Sequence, residues 1–289
     1  MPIVSLIAKP GHLDPALVDN LRNAWGGGVA TWLAMDEAAE FPLAAIPDNV
    51  DDVRASLVDQ VDLNILPDDN RKKRMVLADM DSTMIQQECI DELAEEAGVG
   101  AFVKDITARA MNGELDFDGA LTERVALLKD LPESVIDTVV ENRITLMPGG
   151  KTLLATMKAQ GGYAALVSGG FTAFTSRVSD LLGFDENRAN SLLIEDGKLT
   201  GKVGLPILGR EAKVQALEEI TARLGISEAD VVAVGDGAND LGMLTRAGFG
   251  VALHAKPSVQ AECALRVNHG DLTALLYLQG YPKAEFVSE

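Results

Sequence analysis

Met75-Val-Leu-Ala-Asp-Met-Asp-Ser-Thr83 is the stretch on which the fold turns. Its four leading apolar residues read as a strand of a parallel sheet buried on both faces. Asp79, Asp81 and Thr83 then fall where that strand ends, and in open α/β sheets ligands bind beyond the carboxyl ends of strands. Residues two apart on an extended segment project to the same side, so Asp79 and Asp81 can address one substrate. Two packed carboxylates repel unless a cation sits between them or one keeps a proton, and phosphoryl transfer through an aspartate uses both remedies. Asp79 is therefore read as a nucleophile and Asp81 as a general acid/base.

Outward from this stretch the hydrophobic period alternates between strand and helix, as in an α/β enzyme carrying a helical insertion. Upstream, strands over 3–8, 30–35, 39–44 and 62–66 with helices over 15–25 and 50–60 give the order βαββαβ. Pro67-Asp-Asp-Asn70 and the basic Arg71-Lys-Lys-Arg74 have turn formers and no apolar period, so they read as a solvated linker with a boundary near residue 70. Downstream, Met84–Ala97 reads as a helix stopped by Gly98, followed by amphipathic stretches over 100–112, 116–129 and 132–141. Strand and helix signals then alternate again, with Ala164–Val167, Val231–Val234 and Gly248–Ala252 as short buried strands and a hairpin near 191–203.

Three further segments point to phosphate and metal. Ser168-Gly169-Gly170 follows a strand and precedes a helix, so its hydroxyl, its amides and the helix end could hold phosphate oxygens; taken alone it is an ordinary glycine turn. Lys213, near the start of a helix, could offset crowded negative charge; alone it would be a surface lysine. Gly235-Asp236-Gly237-Ala-Asn239-Asp240 follows another buried strand and offers the oxygen ligands a hard cation requires. Competing motifs fail. Asp240 stands where a dinucleotide fingerprint needs its last glycine, Thr145 replaces the upstream glycine of a nucleotide P-loop at Gly150-Lys-Thr152, and Leu166 removes the nucleophile elbow from Ser168.

Composition narrows the class. The chain has 289 residues, 47% of them apolar, enough for a full core in two or three units. A net charge of −19 argues against nucleic acid and against an anionic membrane surface. No window approaches the ~18 apolar residues of a membrane span, and a cytoplasmic location is expected. Cys89 and Cys263 are too few for a disulfide framework and read as reduced packing residues. His12, His254 and His269 lack zinc-ligand spacing.

With these residues in hand, the chain resembles the haloacid dehalogenase-like phosphatases, and within them the phosphoserine phosphatase branch. The resemblance runs from about Lys73 to Tyr281. It is carried by Asp79-Met-Asp-Ser-Thr83, Glu88-Cys-Ile-Asp-Glu-Leu-Ala94, Arg124-Val-Ala-Leu-Leu-Lys-Asp-Leu-Pro132, Ser168-Gly-Gly-Phe171, Lys213 and Gly235-Asp-Gly-Ala-Asn-Asp240. It implies a Rossmann-like parallel core (71–84 and 148–289) and a helical cap (85–147); separately, the βαββαβ order of the small α+β unit over 1–70 resembles amino-acid-sensing ACT modules. That unit is given a structural or dimerising role, with L-serine binding as the alternative.

The family mechanism would place Mg²⁺ on a carboxylate oxygen of Asp79, the main-chain carbonyl of Asp81 and Asp236, with Asp240 behind them. Ser168, Gly169, Lys213 and Asn239 would hold the transferring phosphate oxygens. Glu88 would meet the ammonium, and Arg124 the carboxylate, of O-phosphoserine, with Met111 and Phe117 packed over the substrate. By pattern alone Glu88 and Arg124 read as solvated helix charges. The expected activity is hydrolysis of O-phosphoserine to serine and phosphate through an aspartyl-phosphate, in serine biosynthesis. The alternatives are a phosphotransferase or a phosphatase for another small phosphomonoester, and a receiver-like sensory protein, which Asp81 and the insertion disfavour.

Overall fold

A computed structural model describes residues 1–111 and 114–287, apart from the Met111 side chain. The upstream strands β1 (Ile3–Ile7), β2 (Thr31–Ala34), β3 (Ala38–Pro42) and β4 (Asp62–Leu66) form one antiparallel sheet in the order β2-β3-β1-β4. Helices Pro15–Ala24 and Val50–Ser56 complete the expected βαββαβ order. The first has proline at its start and Asp14 as its cap, whose carboxylate accepts the Ala16 amide at 2.8 Å.

The core strands are β5 (Met75–Ala78), β6 (Tyr163–Phe171) and β7 (Glu186–Asn190), then, after the hairpin β8 (Leu192–Glu195) and β9 (Lys198–Val203), β10 (Val231–Gly235), β11 (Phe249–Leu253) and β12 (Leu265–Val267). Six of them form a parallel sheet in the order β12-β11-β10-β5-β6-β7. Numbered along the core alone this is 3-2-1-4-5-6 read from the β7 edge, and its switch point lies between β5 and β10. Every residue of β5, β10 and β11 is buried, which is why these strands read as unbroken apolar runs. The Asp79 amide extends the ladder by donating to the Val234 carbonyl at 3.0 Å, so the first acidic residue leaves the sheet at the switch point.

Between β5 and β6 lie helices Cys89–Glu96, Gly100–Met111, Phe117–Ala126 and Ser134–Asn142. Leu93, Val125, Leu128 and Val139 join Met84, Leu166 and Phe171 in one apolar cluster, so insertion and core share an interior. The β8–β9 hairpin closes onto the insertion: the Asp130 amide donates to the Leu199 carbonyl, and the Leu199 amide to the Leu131 carbonyl, each at 2.9 Å.

Two expectations are corrected. The first insertion helix begins at Cys89, not Met84. The Met80 carbonyl takes the amides of Thr83, Met84 and Ile85, and Ile85 pairs with Leu146, so residues 82–87 form a turn that no helical period foretells. The basic run is solvated only at Lys72 and Arg74. Arg71 grips Glu40 of β3 at 2.6 Å and donates to the Leu278 carbonyl, while buried Lys73 lies over the Phe249 ring and donates to the carbonyls of Asn70 and Ala229. The seam is completed by Asn64, whose side-chain amide exchanges hydrogen bonds with the Arg266 backbone and so stitches β4 to β12. No helix among the described residues is long and apolar enough to cross a membrane.

Candidate active site

A cavity of about 470 Å³ opens at the carboxyl ends of β5, β6 and β10, beneath the insertion. Its floor holds Asp79, which is 5% exposed. Lys213, wholly enclosed on helix Arg210–Leu224, donates to Asp79 at 2.6 Å and also pairs with Asp240. Asp240 in turn accepts the Gly237 amide at 2.9 Å, which fixes the β10 loop. Burial alone would push the ammonium down, but Asp79 and Asp240 reverse that and hold it above the usual lysine range. Burial and the Asp240 charge push the Asp79 carboxyl well up, with Lys213 pulling against them. Burial and Asp240 also raise Asp236 to about 6.

Asp81 sits beside this pair with both oxygens assigned. Oδ1 accepts the Cys89 amide at 2.8 Å, so Asp81 caps the first insertion helix, and Oδ2 accepts the Ser168 hydroxyl at 3.1 Å. Ser168 Oγ itself accepts the Gly170 amide at 2.8 Å. A side chain at Gly170 would bring its Cβ to 2.7 Å from Asp81 Oδ2, so only glycine lets the carboxylate approach β6. The acid/base candidate is thus held by both the core and the insertion.

Overhead, Arg124 on helix Phe117–Ala126 and Glu88, at the start of helix Cys89–Glu96, line the cavity. Arg124 donates Nε to the Ala120 carbonyl at 3.2 Å, and its remaining nitrogens have no partner among the described residues. Glu88 accepts the Ser82 hydroxyl at 2.7 Å. It reaches solvent through the cavity yet is walled by protein, and burial and the Asp81 charge raise it to about 7. Phe117 packs over Gly169, where an added Cβ would come within 3.1 Å of the ring. Asp236, Gly169 and Asn239 also line the space. All the expected site residues therefore line one cavity except Lys213 and Asp240, which pair behind its floor, and Met111, whose side chain lies outside the described residues.

The donor set fits a hard divalent cation. Carboxylate oxygens of Asp79, Asp236 and Asp240 lie within 4.8 Å of one another, and oxygen-only ligation is what such ions select. The Met80 carbonyl absorbs three amides, while the Asp81 carbonyl has no hydrogen-bond partner among the described residues.

Comparison with known proteins agrees with this geometry. Residues 76–245, more than half the chain, match the model of the haloacid dehalogenase-like hydrolases. The chain belongs to this family. A phosphoserine phosphatase of Archaeoglobus fulgidus is 46% identical over 217 residues, covering 75% of this chain and 62% of that protein, so the match spans less than two thirds of that relative. One from Methanocaldococcus jannaschii is 42% identical over 206 residues, covering 71% of this chain and 97% of that one. The crystal structure of a hydrolase of the same family from Salmonella enterica superposes with a TM-score of 0.86 at 33% identity, covering 96% of this chain and 97% of that one.

Three polar residues of the cavity lining escape the sequence reading. Asp91 and Thr107 face the cavity from the insertion and Lys256 from the core. Asp91 lies three residues after Glu88 and Thr107 four before Met111, so helical spacing places each beside a residue already singled out. Thr107 Oγ1 is, among the described residues, the one buried side-chain polar atom with no hydrogen-bond partner.

Proposed function

We propose that the chain is a Mg²⁺-dependent phosphoserine phosphatase, hydrolysing O-phosphoserine to serine and phosphate through an aspartyl-phosphate on Asp79. The observation that carries this reading is the joint lining of one cavity by Asp79 and Asp81 below and by Glu88 and Arg124 above. A phosphate on the floor leaves a zwitterionic leaving group facing an anion and a guanidinium. The identity to phosphoserine phosphatases over some seven tenths of the chain supports the same substrate.

Asp79 attacks phosphorus in line while Asp81 delivers a proton to the departing serine oxygen, so the phosphorus–oxygen ester bond breaks as the acyl phosphate forms. Asp81 then takes a proton from water, which attacks the same phosphorus and releases phosphate and the free Asp79 carboxylate. Lys213, Ser168, the Gly169 amide and Asn239 receive the transferring oxygens. Asp79, Asp236 and the Asp81 carbonyl would hold Mg²⁺, with Asp240 orienting that set; when bound, the ion supplies positive charge that lets two anions meet. Thr107 faces the leaving group and offers its unused hydroxyl to the serine carboxylate beside Arg124. Residues 1–70 take a structural or dimerising role, 71–84 with 148–289 the chemistry, and 85–147 substrate selection.

Phosphate release from a panel of phosphomonoesters, with and without Mg²⁺, tests this. Fast turnover is expected for phosphoserine alone, only with the ion, and lost by at least ~10³-fold in Asp79→Asn. Equal turnover across the panel would remove the substrate assignment, and an active Asp79→Asn the mechanism.

A further inference from the structure

The seam between the first sheet and the core holds a second cleft, of about 550 Å³. Two guanidiniums line it from opposite sides of that seam, Arg54 on helix Val50–Ser56 and Arg266 on β12. In a chain of net charge −19, where carboxylates for pairing abound, two crowded cations stand out. Arg54 donates to Asp51 at 2.5 Å and to the Leu63 carbonyl at 3.0 Å. The Arg266 guanidinium donates, among the described residues, only to the Cys263 carbonyl at 3.4 Å, and no carboxylate pairs with it there. The neighbouring polar groups are already spent. Asp62 accepts the amides of Asn268 and His269, and the side chains of Gln260 and Asn268 bond each other. Burial and the Arg266 charge push the Arg54 guanidinium down, with Asp51 pulling against them.

Chemistry and shape restrict the missing partner. Planar guanidiniums match a planar carboxylate through paired hydrogen bonds. Asp51 pairs with Arg54, and the Asp62 carboxylate of the same lining is turned to backbone amides, so Arg266 is the guanidinium left without a carboxylate partner among the described residues. Val58, 55% exposed, and Pro257 add apolar surface to the lining.

We propose that this cleft binds a small organic monocarboxylate, its oxygens held between Arg54 and Arg266 and its apolar part against Val58 and Pro257. The site is also connected to the reaction cavity. Helix Pro257–Glu262 gives Pro257, Gln260 and Ala261 to the cleft, and Lys256, which caps that helix, lines the reaction cavity. A ligand bridging the seam therefore bears on an element common to both.

The test is a ligand-observed NMR titration of the full chain with sodium isobutyrate at constant ionic strength. Saturable binding is expected, unchanged in Arg124→Ala and weakened at least about tenfold in Arg266→Gln, the loss expected for hydrogen bonds to a charged group. Arg54→Lys keeps the charge without the planar fork and should also weaken it. The proposal is overturned by absence of saturable binding, by binding that Arg266→Gln leaves intact, or by binding lost in Arg124→Ala, which would locate it in the reaction cavity. Sulfate displacing isobutyrate as well as propionate does would overturn the carboxylate assignment. None of these readouts involves phosphate release, so failure here leaves the phosphatase reading standing.

Discussion

The floor and the roof of the reaction cavity are built on different principles. On the floor, Asp79, Lys213 and Asp240 are almost completely enclosed, with Lys213 reaching in from its helix to pair with both carboxylates beyond the ends of the strands at the sheet's switch point. On the roof, Arg124 and Glu88 sit on helices of the insertion and make one side-chain hydrogen bond each to neighbours in their own segment. On the proposed reading, a floor with its charges locked in place would perform the same chemistry on any phosphate. A roof with spare hydrogen-bonding capacity is where one leaving group is told from another. Buried networks reward full satisfaction, so partners left over on the roof mark the surface that substrate completes.

Substitutions above the cavity should therefore separate substrates, and the largest effect is expected at Arg124. Arg124→Ala should lower kcat/KM for phosphoserine by about 10²-fold, the worth of a charge-assisted pair, while turnover of an aryl phosphate changes by no more than a few-fold. Equal losses on both substrates, measured side by side, would erase the distinction between roof and floor.

A smaller effect should follow pH. Glu88 at about 7 and Asp236 at about 6 both lie above the values expected for the unfolded chain, and Asp79 is shifted the same way. The folded state thus binds more protons than the unfolded one between about pH 4 and pH 7, and stability must fall as pH rises through that window. Thermal unfolding of the metal-free protein should show Tm decreasing from pH 5 to pH 8. Mg²⁺ should restore more stability at pH 8 than at pH 5, since its ligands must be deprotonated. A Tm that rises over that range without metal would contradict the crowding of acids in the cavity.

The smallest effect is expected at Thr107. Thr107→Val removes an unpaired buried hydroxyl at nearly constant shape, so Tm of the free protein should hold or rise by a degree or two, while KM for phosphoserine increases several-fold. A clear drop in Tm would mean that the hydroxyl already has a partner inside the protein.

The same contrast explains what the sequence discloses. The floor was legible because strand ends concentrate function: Asp79, Asp81, Ser168 and Asp236 each follow a short apolar run that can only be a buried strand. The roof was legible at Glu88 and Arg124 through family resemblance alone, since a charged residue on an amphipathic helix has no local mark of purpose. Thr107 left no signal because an orphan hydroxyl exists only once the surrounding helices are assembled. Arg71 and Lys73 were misread for a related reason. Their partners, Glu40, the Leu278 carbonyl and the Phe249 ring, are far away in the chain, and a basic run beside turn formers looks the same whether it is solvated or stapled. Helix onset at Cys89 depended on a tertiary contact too, the acceptance of its amide by Asp81.

The central claim, that Asp79 carries the phosphoryl group, can be tested directly by trapping. Protein quenched in acid during phosphoserine turnover and reduced with borohydride should yield homoserine in place of Asp79 on peptide mass spectrometry, and none at Asp81. Homoserine at another position, or its absence throughout while phosphate is still released, would contradict the account.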